Sequence, residues 1–412
     1  MSVLTQRDLN RATLARPFLL EREDCTVLDA VSHLAGLQAQ APQEPFTGLW
    51  SRVGAFTPTE LDSLVTGRQV VRTHLMRRTV HLVTATDVLA WRARHDAMLR
   101  QRVLSTYRSE PAGIDLDELS TAGLAVMADD QPRTTGELVG ALRDRWPTPP
   151  SRVLGELLVA ALIPMAQLPP RGRWKKTAGV RNLFLSTWLH QPVPQPPADP
   201  GDPIGQQLVL RYLTAYGPAT TADIRAWSGL AGLPAAVKAL RGDLLTYRDE
   251  RGRLLLDLPD APRPHADTPA PVRFLPAFDN AILGYQDRSR IIDDPHLGIS
   301  VAGQRAALVD GRVAAAWTTS DRRLTISPPA HPHPARRART GDRGPEPGHL
   351  HGPAHRHDPN RRIRLTRSTL PAGVPQPNAA RFSPLTRATR GYGDIVAQLN
   401  SIESTLDLIA SA

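Results

Sequence analysis

Apolar residues recur at helical spacing in short runs, and each set of runs gives way to β-branched alternation. Behind Asp24 or Thr26, Val27, Val31 and Leu34 share one helical face. Thr57-Pro-Thr-Glu60 reads as a capping box opening the helix that holds Leu61 and Leu64. From Val70 to Val83 the pattern changes to two strands bent around Arg77-Arg78. Thr84-Ala-Thr-Asp87 then begins another helix. Helices followed by a β-ribbon is the order of a winged helix.

That order recurs. Pro132–Leu138 opens a helix and Arg152–Leu162 continues as another. Pro164–Gln167 and Trp174–Thr177 flank the turn Pro169-Pro-Arg-Gly172 as a second ribbon. The third copy is clearest: helices at Gln206–Tyr216, Thr220–Ser228 and Leu233–Leu240, then a hairpin over Leu244–Asp257 turning at Gly252. Short helices joined by tight turns and closed by a hairpin resemble helix-turn-helix modules. The Pro-rich runs Gln191–Pro203 and Pro259–Pro271 read as linkers. The expected fold is α+β, mainly helical: tandem winged-helix modules with a disordered C-terminal tail. The expected boundaries are 1–115, 116–203 and 204–260 for three modules, 261–328 for a β-rich closing region, and 329–412 for the tail.

Ala314–Ser327 still reads as a hairpin, but from about Pro329 the texture becomes Pro, His, Arg and Gly without periodicity. Such a segment cannot bury a core. Two readings stand: a disordered basic tail, or a GC-rich gene translated in the wrong reading frame. Only Ile395–Ile409 looks amphipathic again.

The 412 residues carry a formal charge of +10, a bias towards polyanions. Twelve arginines and six carboxylates lie beyond residue 328, so more than half of that excess sits in the tail. Lysine occurs only at 175, 176 and 238; the positive charge is arginine, the mark of a GC-rich genome. The one cysteine, Cys25, excludes an internal disulfide and a cysteine-based metal site. The six tail histidines lack metal-ligand spacing, and no phosphate loop or dinucleotide fingerprint occurs. No cofactor and no metal are expected. The opening decapeptide has no signal-peptide core, and no run approaches the ~20 apolar residues of a membrane helix. The expectation is a cytoplasmic, nucleoid-associated monomer with no membrane partner.

The most informative chemistry is Gln38-Ala-Gln40, placed where an apolar helix runs out. In extended backbone, residues i and i+2 project to one side, so both amides would face one space. Two neutral amides offer donors and acceptors without charge, which suits holding a water beside an already activated substrate. The alternative is a pair of polar residues bonding nearby backbone. Gln43 and Glu44 lie close enough in sequence to join them. Arg72, His74, Arg77, Arg78, Thr79 and His81 form a dense polar ribbon, either a solvated edge or a basic hairpin holding phosphates. Arg171, Arg173, Lys175 and Lys176 surround Trp174 and suit a backbone-gripping wing or a solvated turn. Asp279, Asn280 and Arg288 complete the candidate DNA-binding set. There Asp287, Arg288 and Arg290 could instead form ion pairs closing an interface.

Four stretches occur in one order: Leu37-Gln-Ala-Gln40-Ala-Pro, Met76-Arg-Arg-Thr-Val-His-Leu-Val83, Leu168-Pro-Pro-Arg-Gly-Arg-Trp174, and Phe274-Leu-Pro-Ala-Phe-Asp-Asn280 with Asp287-Arg-Ser-Arg290. Each is weak alone. Together, over residues 1–327, they resemble the AlkZ-type DNA glycosylases, bacterial proteins of tandem winged helices. The resemblance implies a C-shaped basic channel around duplex DNA, and excision of bulky N-alkylated purines with unhooking of interstrand crosslinks from genotoxic natural products. It maps a catalytic Gln-hydrophobe-Gln motif onto Gln38, Ala39 and Gln40. A sister branch carries Asp at the second position, so Gln40 places the chain with the crosslink-resistance branch. Two departures stand out: Arg78 where a smaller residue is usual, and a tail that does not continue the closing strands and helix. An N7-alkylpurine is cationic and already a good leaving group, so neutral amides that orient water suffice. No lysine is placed as a Schiff-base nucleophile, so strand cleavage is not expected. The competing reading is a non-enzymatic winged-helix transcriptional regulator, and an RNA-binding module ranks last.

Overall fold

The computed structural model describes residues 2–231, 233–320 and 323–327, together with the backbone of a short strand at Ile363–Arg364. It is a mixed α+β protein. The expected tail, and with it the reading-frame question, lies outside the described residues apart from that strand.

The first helix, Gln6–Ala15, starts at a reciprocal cap: Thr5 Oγ1 accepts from the Asp8 N–H, and the Asp8 carboxylate accepts from the Thr5 N–H. Val27–His33 follows, capped by Thr26 as the sequence suggests. The expected box at Thr57 does not form. Thr57 makes no side-chain cap bond, and Glu60 instead accepts the Val27 N–H at 2.9 Å. An orphan donor of one helix is thus satisfied by a side chain from another, which fixes their mutual placement.

The central sheet is antiparallel. Its strand order is Leu37–Gln38, Val80–Thr84, Val70–His74, Met165–Gln167 and Asn182–Phe184. The ribbon around Arg77-Arg78 forms where the alternation places it, with a 3₁₀ turn at Met76–Arg78. The second ribbon differs from expectation. Met165–Gln167 pairs with Asn182–Phe184, not with Trp174–Thr177. The 168–177 segment is instead fastened onto the first helices. Asp62 accepts the Trp174 N–H at 2.6 Å, and Gln43 bonds the backbone of Arg173 and Lys175. Strands from the first two expected segments therefore share one sheet.

The third segment matches its pattern closely: helices Pro203–Tyr216, Thr221–Ser228 and Pro234–Ala239, then the hairpin Leu245–Asp249 with Leu254–Asp257. Val3–Leu4 adds to this hairpin in parallel, pairing with Arg248 and Asp249. The closing sheet joins Arg273–Leu275, Arg305–Val309, Arg312–Ser320 and Arg323–Ser327, with Ile363–Arg364 on its edge. Trp317 meets Phe274 edge-on at 5.4 Å and donates to the Leu275 carbonyl. One core cluster joins Leu37 and Ala39 to Phe274, Trp317 and Ile326, so the strand bearing the glutamines is held between early helices and closing sheet.

Candidate functional site

Gly36, with φ +88°, turns the chain out of the preceding helix; a Cβ there would meet Val83 Cγ1 at 2.5 Å. Leu37–Gln38 then pairs with Leu82 and His81, and the Ala39 N–H donates to the Val80 carbonyl. The alternation buries Ala39, leaves Gln38 half-buried and exposes Gln40. Both amides are fixed at one end. Gln38 Oε1 accepts from Arg77 Nη2 at 2.9 Å, and Gln40 Oε1 accepts from the Val80 N–H at 3.2 Å. Arg and a backbone N–H can only donate, so the partners dictate which end is oxygen. Each amide NH₂ is turned away from these contacts, and each oxygen keeps a second lone pair.

Beside Gln38 lies a cavity of about 20 Å³, bordered also by Glu44, Arg52, Tyr216, Asp279 and Asn280. That is room for about one water. Glu44 does not join the amide pair as a free acid: it is ion-paired with Arg305 at 2.7 Å and accepts the Ala277 N–H. Gln43 is turned away to the 168–177 segment.

Arg77 is the hub. Its guanidinium donates to the Trp227 carbonyl at 2.7 Å, and to Gln38 Oε1 and Asn280 Oδ1 at 2.9 Å each. All three acceptors are neutral. Burial lowers its pKa to about 10, with Arg288 lowering it further and Tyr216 and Tyr212 opposing, so the group stays charged at neutral pH. Its backbone is left-handed, φ 56° and ψ 11°, a conformation costing roughly 1–2 kcal/mol for a residue with a side chain. Gly229 packs directly on it; a Cβ there would lie 2.9 Å from the Arg77 nitrogen.

Arg77 also forms one wall of a cleft of about 1280 Å³ in the third segment. Arg102, Arg225, Lys238 and Arg241 surround it over an apolar floor that includes Ile224, Leu233 and Val237. Among the described residues no carboxylate lines it. The four outer cations are exposed. Sequence reasoning missed them, although Arg225 and Lys238 lie on the helices it located. A test for exposed cations on those helices would have found these two.

Several expected DNA-contacting residues are repositioned by burial. Arg72 is 2% exposed and donates to the Ala39 carbonyl at 2.8 Å, beneath the glutamine motif. Gly172 packs on it, where a Cβ would come within 2.5 Å of Arg72 Cδ. His81 is fully buried, its Nδ1–H donating to the Thr79 carbonyl at 3.0 Å. Burial pushes His74 down to about 4, with Arg92 and Arg78 adding to the shift, so it is neutral at physiological pH. Asp279 is ion-paired with Arg52 at 2.7 Å and caps the turn at Ala281. Neighbouring chain encloses Arg72, His81 and Asp279. Asn280 is buried as the partner of Arg77. Arg78 pairs with Glu156 at 2.9 Å, Thr79 Oγ1 donates to the Met76 carbonyl, and Arg288 donates to Ser300. Arg171 donates to the Ala178 carbonyl and Arg173 lies 3.3 Å from Asp62. Lys175 and Lys176 remain exposed, Lys175 lying 5.5 Å from the Trp174 ring centre. Asp287 holds Arg251 and Arg253 of the hairpin, the interface ion pair that the sequence left as an alternative. Among the described residues no three His, Cys, Asp or Glu side chains gather as metal ligands.

The chain matches no curated protein. Among solved structures it is similar to the DNA glycosylase AlkZ of Streptomyces sahachiroi, at 21% identity and a TM-score of 0.59, over 83% of this chain and 93% of that one. At that identity the likeness shows the fold. A family profile described as DNA glycosylase AlkZ-like matches residues 31–346, most of the chain and all of the glutamine site. The protein therefore belongs to the AlkZ-like DNA glycosylase family.

Proposed function

We propose that this protein is a monofunctional glycosylase that removes bulky N7-alkylated purines from duplex DNA and unhooks interstrand crosslinks, in resistance to a genotoxic natural product. The observation that carries the proposal is the continuity from Gln38, through Arg77, to a cationic cleft lined by no carboxylate among the described residues. Duplex DNA would lie against Arg102, Arg225, Lys238 and Arg241, with Lys175 and Lys176 as outlying phosphate contacts. The helix-turn-helix modules would be winged helices arranged around it, and the protein would act as a monomer in the cytoplasm.

The chemistry follows from charge. N7 alkylation makes the purine cationic, and breaking the C1′–N9 bond returns those electrons to the base, which leaves neutral. The sugar becomes oxocarbenium-like and water adds at C1′. Gln38 and Gln40 offer amide oxygens to orient that water and N–H groups to hold the sugar or lesion. The water's proton passes to solvent. Neutral amides stabilise a sugar cation less than a carboxylate would, which restricts the enzyme to labile lesions.

The test is to incubate duplex DNA containing N7-alkylguanine with the protein in EDTA and measure free base. Release of free base with an intact abasic strand is expected. Sequence-specific binding with no base released from several N7-alkyl substrates would favour the transcriptional regulator.

A further inference from the structure

We propose that Arg77 is a positioning residue for the reaction: it sets the orientation of the Gln38 carboxamide rather than gripping a phosphate. The inference rests on the catalytic reading of Gln38 given above.

Four observations lead to it. First, the guanidinium is committed. One nitrogen serves the Trp227 carbonyl and another serves both Gln38 and Asn280. Three of its five N–H groups are thereby taken, both of those on Nη2 among them. Second, the acceptors come from three distant parts of the chain: the glutamine strand, the Thr221–Ser228 helix and the short helix Asn280–Leu283. Arg77 therefore locks the motif to the elements that form the cleft. Third, its backbone is held left-handed, and Gly229 is packed against that backbone too closely for any side chain. Unfavourable backbone held in place by its surroundings is typical of sites where one side chain must be aimed. Fourth, no carboxylate is ion-paired with Arg77 among the described residues, whereas Arg78 next to it has Glu156. A carboxylate would draw the guanidinium away from the weaker amide acceptors.

The consequence is specific. With Arg77 present, the Gln38 oxygen is held beside Arg77 with one lone pair left for the water, and its NH₂ faces the space beyond. Without it, the amide can rotate by half a turn and exchange donor for acceptor, at no cost in size or charge at residue 38. A misaimed amide affects the chemical step more than binding.

The test is a double-mutant cycle on single-turnover excision of N7-methylguanine from duplex DNA, with duplex affinity and thermal midpoint measured alongside. Gln38→Ala and Arg77→Met are each expected to slow the chemical step by about 100-fold. The double variant should be no more than about threefold slower than Gln38→Ala, because Arg77 then has nothing to aim. Arg77→Lys keeps the cation but not the fork geometry, so it should retain duplex affinity without restoring the rate. It takes the place of Arg77→Met in the cycle if the methionine variant does not fold. Multiplicative losses in the double variant would overturn the proposal, as would a loss of affinity for damaged and undamaged DNA with an unchanged single-turnover rate. If Gln38→Ala itself leaves the rate unchanged, the catalytic reading of Gln38 fails first and the positioning role with it. Loss in Gln38→Ala without coupling removes the positioning role alone.

Discussion

Arg16 is closed inside the protein and Arg77 is half-buried at the wall of a cleft, and they are satisfied in opposite ways. Arg16 forms a two-pronged ion pair with Asp257, at 2.6 and 2.8 Å, and neither side chain is exposed. It joins the end of the first helix to the hairpin at Leu254–Asp257, and Arg263 adds to the same carboxylate. Among the described residues Arg77 has only neutral oxygens as partners, and it borders a cleft of other cations. Where only the fold is served, the buried charge is cancelled. Beside the glutamine motif, the charge is retained and held by hydrogen bonds to neutral oxygens.

The largest effect should come from breaking the cancelled pair. Asp257→Ala strands the Arg16 guanidinium in the interior, and truncating one partner of a buried pair costs about 3–5 kcal/mol. Denaturant unfolding should show that loss, while the folded fraction retains its excision rate. An equal loss of rate would mean that the two arginines are not separable as scaffold and site.

Acid should act on the other side of the comparison. His95, fully buried, is pushed down to about 4 by burial, against a bond to the Trp91 carbonyl and with Arg92 and Arg94 adding to the shift. His81, in the strand opposite Gln38, is also held well below the ordinary histidine value, by burial first and Arg77 second. From about pH 6.5 down to about 4 the unfolded chain binds protons that the folded chain excludes. Stability should fall with pH across that window, by about 1.4 kcal/mol per pH unit for each histidine. His95→Gln should flatten the acid limb; an unchanged limb would show that His95 is not held neutral.

Much of the scaffold is legible in the sequence because its determinants are local. The helices and hairpin of the third segment follow from caps, glycine stops and alternation near each element, and so does the Val70–Thr84 ribbon. What could not be read is set by distant partners. Glu60 is three residues from Thr57 yet caps Val27, and Val3–Leu4 finds its strand partner at Arg248 and Asp249. Trp174–Thr177 has the composition of a ribbon, but Asp62 and Gln43 claim its backbone. At the site, the Gln-Ala-Gln alternation was readable, but the partners of its two oxygens were not. A run of arginines cannot reveal which are buried: Arg72, Arg77 and Arg78 lie within seven residues and have three different fates.

The smallest effect should come from the cleft rim. Lys238→Ala or Arg241→Ala should weaken damaged and undamaged duplex alike, lowering the slope of log affinity against log salt by about 0.9 per lost phosphate contact. A loss confined to damaged DNA would place that residue against the lesion instead.

The central claim is that Gln38 and Gln40 act on the chemical step. Its most direct test is the single-turnover release of free N7-methylguanine by wild type, Gln38→Ala and Gln40→Ala, with duplex affinity measured on the same samples. Each substitution is expected to slow release by about 100-fold and to change affinity by less than about threefold. Unchanged rates with weakened binding would contradict the account and leave the two amides as structural parts of the strand.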